Sequence, residues 1–230
     1  MAPLTSALYD QKVVQEELEK LGELRGEVAK TAEELMARCN GEIFPCDALA
    51  SAALSRAFNL IDGFGLLVKG GNYQCAVGLL RFQLDNVLRL FGVTTCGDAH
   101  GIASDVLTGT PLARIKHDSG QKMHDAYLVE LLSERNPWVQ DVYRILSGFI
   151  HLSDTHFQHM LMQSVQTPDG TRKFHVSDTD NYVPSEHKVN LVRTFATVTR
   201  GVVELVQEWA SKRDSFGQPQ VLRARFKQVV

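Results

Sequence analysis

The sequence contains none of the short motifs that carry the common nucleotide, hydrolase and zinc-protease chemistries. There is no Gly-x-Gly-x-x-Gly, no Walker loop, no Gly-x-Ser-x-Gly and no His-Glu-x-x-His. The first two cradle dinucleotides and phosphates, the third positions a serine nucleophile, and the fourth binds zinc. These absences argue against nucleotide-cofactor enzymes, P-loop ATPases, serine hydrolases and zincins, and no cofactor is predicted.

Long apolar runs and patterned cysteines are missing as well. The longest candidate span, residues 58–68, is interrupted by Asn59, Asp62, Gly63 and Gly65, so no membrane segment is predicted. The first ten residues have neither the basic start nor the apolar run of a secretory signal. The four cysteines form no Cys-x-x-Cys and have no histidine at zinc-finger spacing, which favours reduced thiols in a cytoplasmic protein.

A strong excess of one charge is also absent, since the 230 residues carry a net charge of -3. The chain is 44% hydrophobic and 22% charged, which is ordinary for a globular protein with one large domain. Positive charge is concentrated at the end, where residues 212–230 carry five basic side chains against Asp214 alone. We therefore expect no chain-wide attraction to nucleic acid or membrane, and a basic C-terminal tail over residues 214–230.

The chain is rich in helical periodicity. Over residues 7–39, apolar side chains recur at three- and four-residue steps, which predicts one long amphipathic helix packed along a bundle or a partner. Asn40-Gly41 supplies a stop signal. Residues 1–46 are therefore predicted to be this helix and its linker.

A helical-bundle domain is predicted to follow over residues 47–213. Asp47 can cap its first helix, which runs to about residue 69, and Gly70-Gly71 separates it from a helix that starts at Asn72. A turn this short makes the two helices antiparallel neighbours, and the second is apolar nearly all round, as a central helix is. Other helices are predicted over about 98–107, from Pro111, and over about 120–134, 137–153 and 185–212.

Between the last two helices the periodicity changes from helical to alternating. The stretches 156–166 and 171–177 flank the turn sequence Thr167-Pro168-Asp169-Gly170, and this pattern predicts a β-hairpin. The predicted fold class is therefore mainly α: a helical bundle with a long N-terminal helix and one small β-hairpin insertion near 156–177.

The predicted helix 137–153 carries the pattern most informative about function. At a hundred degrees per residue, Arg144 and His151 lie about twenty degrees apart, nearly opposite the apolar face, with Ser147 on the flank of that side. The helix thus pairs a permanent cation with a titratable imidazole beside a small residue. The alternative interpretation is that these residues are the solvated back of an amphipathic helix.

A row of charged residues, which we call the ladder, lies on the predicted central helix. Arg81, Asp85 and Arg89 are spaced four residues apart, so Asp85 can form an ion pair with either arginine. In a functional interpretation, Arg81 contacts phosphate and Asp85 holds it in position. In a structural interpretation, the same spacing is a salt-bridged strip on an otherwise buried helix.

Three histidines lie close together in the sequence, at His151, His156 and His159, with Asp154 among them. Such clusters can bind metal ions. Their spacing matches no recognised metal motif, however, and the predicted change from helix to strand falls inside the cluster. Ordinary surface histidines are the favoured interpretation, and no metal is predicted.

Together these residues resemble the HEPN superfamily of small α-helical domains, over roughly residues 47–213. The resemblance rests on a helical hairpin with inward arginines and on a later helix that carries an arginine and a histidine. HEPN proteins place four to six residues between that arginine and histidine, and six separate Arg144 from His151. Active members usually have Asn, Asp or His directly after the arginine, where this chain has Ile145. The quoted segments are Ser55-Arg56, Leu80-Arg81-Phe82-Gln83-Leu84-Asp85 and Tyr143-Arg144-Ile145-Leu146-Ser147-Gly148-Phe149-Ile150-His151.

The resemblance implies a metal-independent endoribonuclease of the toxin or phage-defence type, acting as a homodimer whose two Arg144–His151 pairs face one cleft. His151 would act as general acid or base and Arg144 would hold the phosphate of the RNA substrate, with Arg81, Asp85 and Ser147 binding phosphate or supporting that contact. The alternative is a non-catalytic HEPN-like interaction or adaptor protein, which binds a protein partner through the long N-terminal helix.

Overall fold

The fold is mainly α-helical with one small hairpin, as the sequence predicted. A computed structural model describes residues 3–151, 153–162, 164–174 and 183–216, so most of the predicted basic tail lies outside the described residues. Two 3₁₀-turns span Leu112–Arg114 and Arg213–Phe216. The strands are β1 (Val165–Gln166) and β2 (Arg172–Lys173). The α-helices are α1 (Pro3–Cys39), α2 (Pro45–Lys69), α3 (Tyr73–Thr94), α4 (Ala99–Leu107), α5 (Asp125–Ser133), α6 (Trp138–Ile150), α7 (Asp154–Met162) and α8 (Ser185–Lys212).

The central helix is α3, which packs against α2, α4, α5, α6 and α8. Its leucines, including Leu84 and Leu88, are fully buried, as its nearly uniform apolar surface predicted. Asn72 caps the helix by accepting the N–H of Cys75 at 3.1 Å. The preceding turn uses Gly71 at a φ of 72°, which glycine adopts without steric cost, and it makes α2 and α3 neighbours.

The long helix α1 is part of the same core. Its apolar stripe, which includes Leu21 and Leu35, is buried against α8 and α2. Arg25 interrupts that stripe because it pairs with Asp62 of α2 at 2.8 Å and lies over the ring of Phe58 at 4.4 Å. From Gln11 onward, where the side chains of α1 are described, its apolar stripe is covered by the chain's own helices and its polar face is left exposed.

A buried ion pair joins the start of α2 to the end of α8. The carboxylate of Asp47 is fully buried and accepts hydrogen bonds from Arg213 Nε and Trp209 Nε1, both at 2.9 Å. It also accepts the N–H of Phe44 at 2.9 Å, and Arg213 donates to the carbonyl of Glu42 at 2.6 Å. The helix begins three residues earlier than predicted, with Phe44 instead of Asp47 at the N-cap, so Asp47 lies inside its first turn and closes that turn with its side chain.

His100 of α4 lies beside this ion pair. Its ring packs edge-on against Phe44 and Trp209, and its Nδ1 accepts the N–H of Cys46 at 3.4 Å. Burial lowers the pKa of His100, against an opposing effect of the Asp47 carboxylate. The imidazole is therefore neutral at pH 7, with its proton on Nε2, which is buried and has no hydrogen-bond partner among the described residues.

A row of neutral hydrogen bonds crosses the core between α3 and α8. Asn86 donates to the side-chain oxygen of Gln83 at 3.0 Å, and Gln83 donates to the hydroxyl of Thr199 at 2.9 Å. All three side chains are buried. Because each polar group in the row has a partner, the core carries these groups without a large desolvation cost.

The segment after α6 differs from the predicted hairpin. Residues 156–162, predicted as part of the first strand, belong to helix α7, and only β1 and β2 form the hairpin. The carboxylate of Asp154 in the first turn favours the helix, because negative charge is stabilised near a helix N-terminus. The turn itself is confirmed, with Gly170 at a φ of 83°. The last predicted strand residues, 175–177, lie outside the described residues.

Two predicted helices are shorter than expected. The helix predicted over 120–134 begins only at Asp125, because His124 caps it by accepting the N–H of Tyr127 at 3.2 Å. The helix predicted to open at Pro111 is a single 3₁₀-turn. The first difference lies at an element end, where a local side-chain bond decides the boundary.

We expect Asp47→Asn to lower the free energy of unfolding by about 3–5 kcal/mol, because the change leaves the guanidinium of Arg213 buried without its counter-charge. Asp214→Asn is the matched control, since Asp214 also contacts Arg213, at 3.4 Å, but is 90% exposed. The control should leave the urea unfolding midpoint unchanged. Equal midpoints for both variants would contradict a special role for the buried pair.

Candidate functional site

The helix α6 presents the predicted catalytic arginine on the surface of the bundle. Val139 and Leu146 are buried and fix α6 against α3. Arg144 points away from this contact, with 75% of its side chain exposed, and pairs with Asp141 one turn earlier at 3.3 Å. An exposed ion pair of this kind contributes little free energy. Arg144 can therefore exchange Asp141 for another anion at little cost.

His151 lies immediately beyond the end of α6. The sequence predicted a helix to about residue 153, but α6 ends at Ile150 and the backbone of His151 is extended. The side chain of Ser153 donates to the carbonyl of Gly148 at 2.7 Å, and His151 donates its N–H to the carbonyl of Ser147 at 3.3 Å. These two bonds satisfy carbonyls at the end of the helix. The helical repeat therefore does not fix the angle between Arg144 and His151, and both side chains are exposed.

Ser147 lies between them on α6 and is half-buried. It is four residues after Tyr143, so the two side chains lie on the same side of the helix. Tyr143 contacts the guanidinium of Arg81, whose Cζ lies 4.8 Å from the ring centroid. Ser147 therefore lies on the flank of α6, between the side that contacts α3 and the exposed side that carries Arg144.

Arg81 and Asp85 belong to a larger arginine–aspartate ladder along α3. Asp85 accepts from Arg89 at 3.0 Å and from Arg56 of α2 at 3.1 Å. Asp125 of α5 accepts from Arg89 and from Arg81, both at 2.6 Å. Five side chains from three helices thus form one chain of ion pairs, with three positive and two negative charges.

This arrangement differs from the predicted pairing in one respect. Among the hydrogen bonds of the described residues, Asp85 binds Arg89 and Arg56, whereas Arg81 is held by Asp125. Only 14% of the Arg81 side chain is exposed, because the ring of Tyr143 covers it. Arg81 therefore contacts both α5 and α6 from its position on α3, and its guanidinium is largely covered.

The histidine cluster does not form a metal site among the described residues. His156 packs against the ring of Phe149 and forms a hydrogen bond with Gln74 through Nε2. The side chain of His159 lies outside the description. In the part of the chain that the structure describes, no group of three or more His, Cys, Asp or Glu side chains is placed to hold a metal ion.

More than half of the exposed large apolar side chains lie in the same part of the chain as Arg144 and His151. Seven of the twelve large apolar side chains that are exposed in the described residues lie between positions 138 and 174. We call this set the α6–hairpin surface. Exposed apolar side chains grouped in this way are typical of an interaction surface. Its members are Trp138, Ile145, Ile150, Phe157, Met160, Val165 and Phe174.

The helical repeat places Ile150 on the apolar face of α6, together with the buried Leu146, but the structure leaves its side chain exposed. An apolar residue in an amphipathic helix is read as core unless the position of the next element is known. Here α7 packs against α6, and apolar side chains of both helices remain exposed.

Comparison with protein-family models, with curated proteins and with solved structures gave no match for this chain. The HEPN-like assignment therefore stays a prediction. None of the helices in the described ranges has the length and apolar character needed to span a membrane.

We expect Asp125→Asn to destabilise the fold by about 1–2 kcal/mol, because it removes the charge that two arginines share in a partly buried position. Asp141→Asn is the matched control, since it removes one exposed partner of one exposed arginine. Chemical unfolding monitored by tryptophan fluorescence measures both. If the two variants unfold at the same denaturant concentration, the ladder does not hold the helices together.

Proposed function

We propose that this protein is a metal-independent endoribonuclease that acts as a homodimer, with Arg144 and His151 in the site where RNA is cut. The observation that supports it best is that both side chains are exposed in the stretch of the chain that also holds the apolar residues of the α6–hairpin surface. They are exposed, and exposed apolar side chains such as Ile145 and Ile150 lie beside them in the chain. Association of two copies through this surface would bring two Arg144–His151 pairs to one interface.

The chemistry that these residues can perform is transesterification of RNA. The ribose 2′-oxygen attacks the adjacent phosphorus and the bond from phosphorus to the 5′-oxygen breaks, which leaves a 2′,3′-cyclic phosphate and a free 5′-hydroxyl. An imidazole suits both proton transfers, from the 2′-hydroxyl and to the leaving oxygen. A guanidinium binds the phosphate oxygens through two N–H groups and stabilises the charge that develops on them.

The ladder residues have a supporting part in this proposal. Arg81 contacts Tyr143, which directly precedes Arg144, and Asp125 holds Arg81. Through this contact the ladder would hold α6 at one position along α3 and in one rotation about its own axis. Arg81, Asp85 and Ser147 would then act by positioning the helix that carries Arg144.

A second candidate is a non-catalytic interaction protein. It is favoured by Ile145, which follows Arg144 where a polar residue is usual in active HEPN proteins, and by the carboxylates that already occupy Arg81 and Arg89. In this case the α6–hairpin surface binds a protein, and Arg144 and His151 form polar contacts at its rim. The two candidates share the surface but differ in whether RNA is cut.

We expect the protein to cleave a mixed RNA pool in excess chelator, and His151→Ala to slow cleavage by about 10²–10⁴-fold, the usual worth of positioned proton transfer. Arg144→Ala should cause a comparable loss. The controls are His187→Ala and Arg114→Ala, which remove an exposed histidine and an exposed arginine elsewhere. Circular dichroism checks that all variants fold.

Cleavage products that carry a cyclic phosphate would support the mechanism directly. If the wild-type protein cuts no RNA, or if cutting survives in both variants, the enzyme proposal is wrong. Binding of a protein partner that is lost on Ile145→Glu would then support the second candidate.

We expect a homodimer at about 20 µM, a concentration at which a micromolar contact is largely formed. The double variant Ile145→Glu and Phe157→Glu should be a monomer in light scattering, because it places charges within the apolar contact. Leu66→Glu is the control, since Leu66 is the most exposed large apolar side chain described, at 72%, and lies on α2. A wild-type monomer, or a double variant that remains a dimer, would exclude this surface as the interface.

A further inference from the structure

A small apolar cleft of about 190 Å³ lies between α2, α3, the end of α4 and the 3₁₀-turn that begins at Leu112. Two arginines of the ladder, Arg56 and Arg89, line it, together with the buried amide of Asn86. The rest of the wall is aliphatic. Its main members are Leu49, Ala53, Leu90, Val93, Val106 and Leu112.

Both arginines are held in fixed positions. Arg56 Nη1 donates to Asp85 and to Asn86, each at 3.1 Å. Arg89 donates through Nε to Asp85 at 3.0 Å and through Nη2 to Asp125 at 2.6 Å. A guanidinium has five N–H donors, so each arginine has donors beyond those used in these bonds. Because the side chains are already ordered, a ligand that binds them loses little entropy.

The charge of the ladder is not balanced. Three guanidinium groups face two carboxylates, so the described ladder carries one positive charge without a counter-charge. Two of the three guanidinium groups, those of Arg56 and Arg89, border the aliphatic cleft, where a charge is less well solvated than at an open surface. An anion that also brings an apolar body would satisfy both features.

We propose that this cleft binds a small monocarboxylate with a compact apolar body, such as one aromatic ring or a branched aliphatic chain. A cavity of about 150 Å³ is enough to hold benzene, so the volume fits a body of this size. The carboxylate accepts bidentate hydrogen bonds from the guanidinium forks and neutralises the unpaired charge. A dianionic phosphate fits less well, because it brings a second charge against the aliphatic wall. The proposal does not depend on RNA cleavage.

Benzoate is the test ligand and benzamide is its neutral match, with acetate and inorganic phosphate as anions without an apolar body. Titrations are followed by ¹H–¹⁵N NMR of the full chain. We expect saturable benzoate shifts centred on the cleft residues of α2 and α3, with a Kd of about 0.1–10 mM, the range open to so few atoms. Benzamide, acetate and phosphate should bind at least about tenfold more weakly.

Two variants test the two parts of the cleft. Ala53→Leu fills it and should weaken benzoate binding at least about tenfold, whereas Ser55→Leu, an exposed position on the same helix, should not. Arg56→Gln removes one guanidinium while Asp85 keeps Arg89, and should weaken benzoate but not benzamide.

The proposal is wrong if benzoate causes no saturable shifts up to about 50 mM, or if benzamide binds equally well. It is also wrong if acetate or phosphate matches benzoate, since the site is then only an exposed positive charge. Should Ala53→Leu fail to fold, Arg56→Gln alone decides, because unchanged benzoate affinity in that variant overturns the assignment.

Discussion

The buried ion pair between Asp47 and Arg213 is the contact on which the arrangement of the helices depends. Two opposite charges without access to water are tolerable only when hydrogen bonds satisfy their remaining donors and acceptors. Trp209 and the backbone N–H of Phe44 bind the carboxylate, and the carbonyl of Glu42 binds the guanidinium. These partners come from the α1–α2 connection, the start of α2 and the end of α8. Their geometry holds only when all three meet, so the pair selects one packing of the outer helices.

The ladder holds helices together on another side of α3, as the buried ion pair holds the start of α2 and the end of α8 together. Its five side chains lie on α2, α3 and α5, and Arg81 extends it to α6 through Tyr143. Each carboxylate binds two arginines, so no member can turn without breaking the contact of its neighbour. The surface that carries Arg144 and the cleft beside Arg56 are thus attached to the same rigid row.

Local sequence signals were sufficient for the long helices, but they were insufficient for α7 and for the residues that pair across the fold. The stripe of α1, the Gly70-Gly71 turn and the turn before Gly170 are decided within a few residues, and the structure confirms them. Helix α7 was missed because a seven-residue segment such as 156–162 satisfies both an alternating and a helical pattern. Spacing along α3 placed Asp85 beside two arginines, but Asp125, which holds Arg81, is 44 residues away in the chain. For the same reason nothing in the sequence indicated that Asp47 would be buried with Arg213. The α6–hairpin surface depends on where α7 folds, which the sequence alone does not specify.

The four cysteine thiols differ in burial, and therefore in reactivity: three are buried in the core and one is exposed. Burial raises the pKa of Cys39 and Cys96 to about 11, and it raises the pKa of Cys46 as well. Alkylation requires the thiolate, so these three are protected at neutral pH both by protonation and by lack of access. Cys75 alone is exposed, in the first turn of α3 next to Gln74, which contacts His156 of α7. A maleimide dye will therefore label the native protein at Cys75 alone, without any change to the sequence. Because the neighbouring Gln74 contacts His156, the emission of the dye will report whether α7 is packed on the bundle.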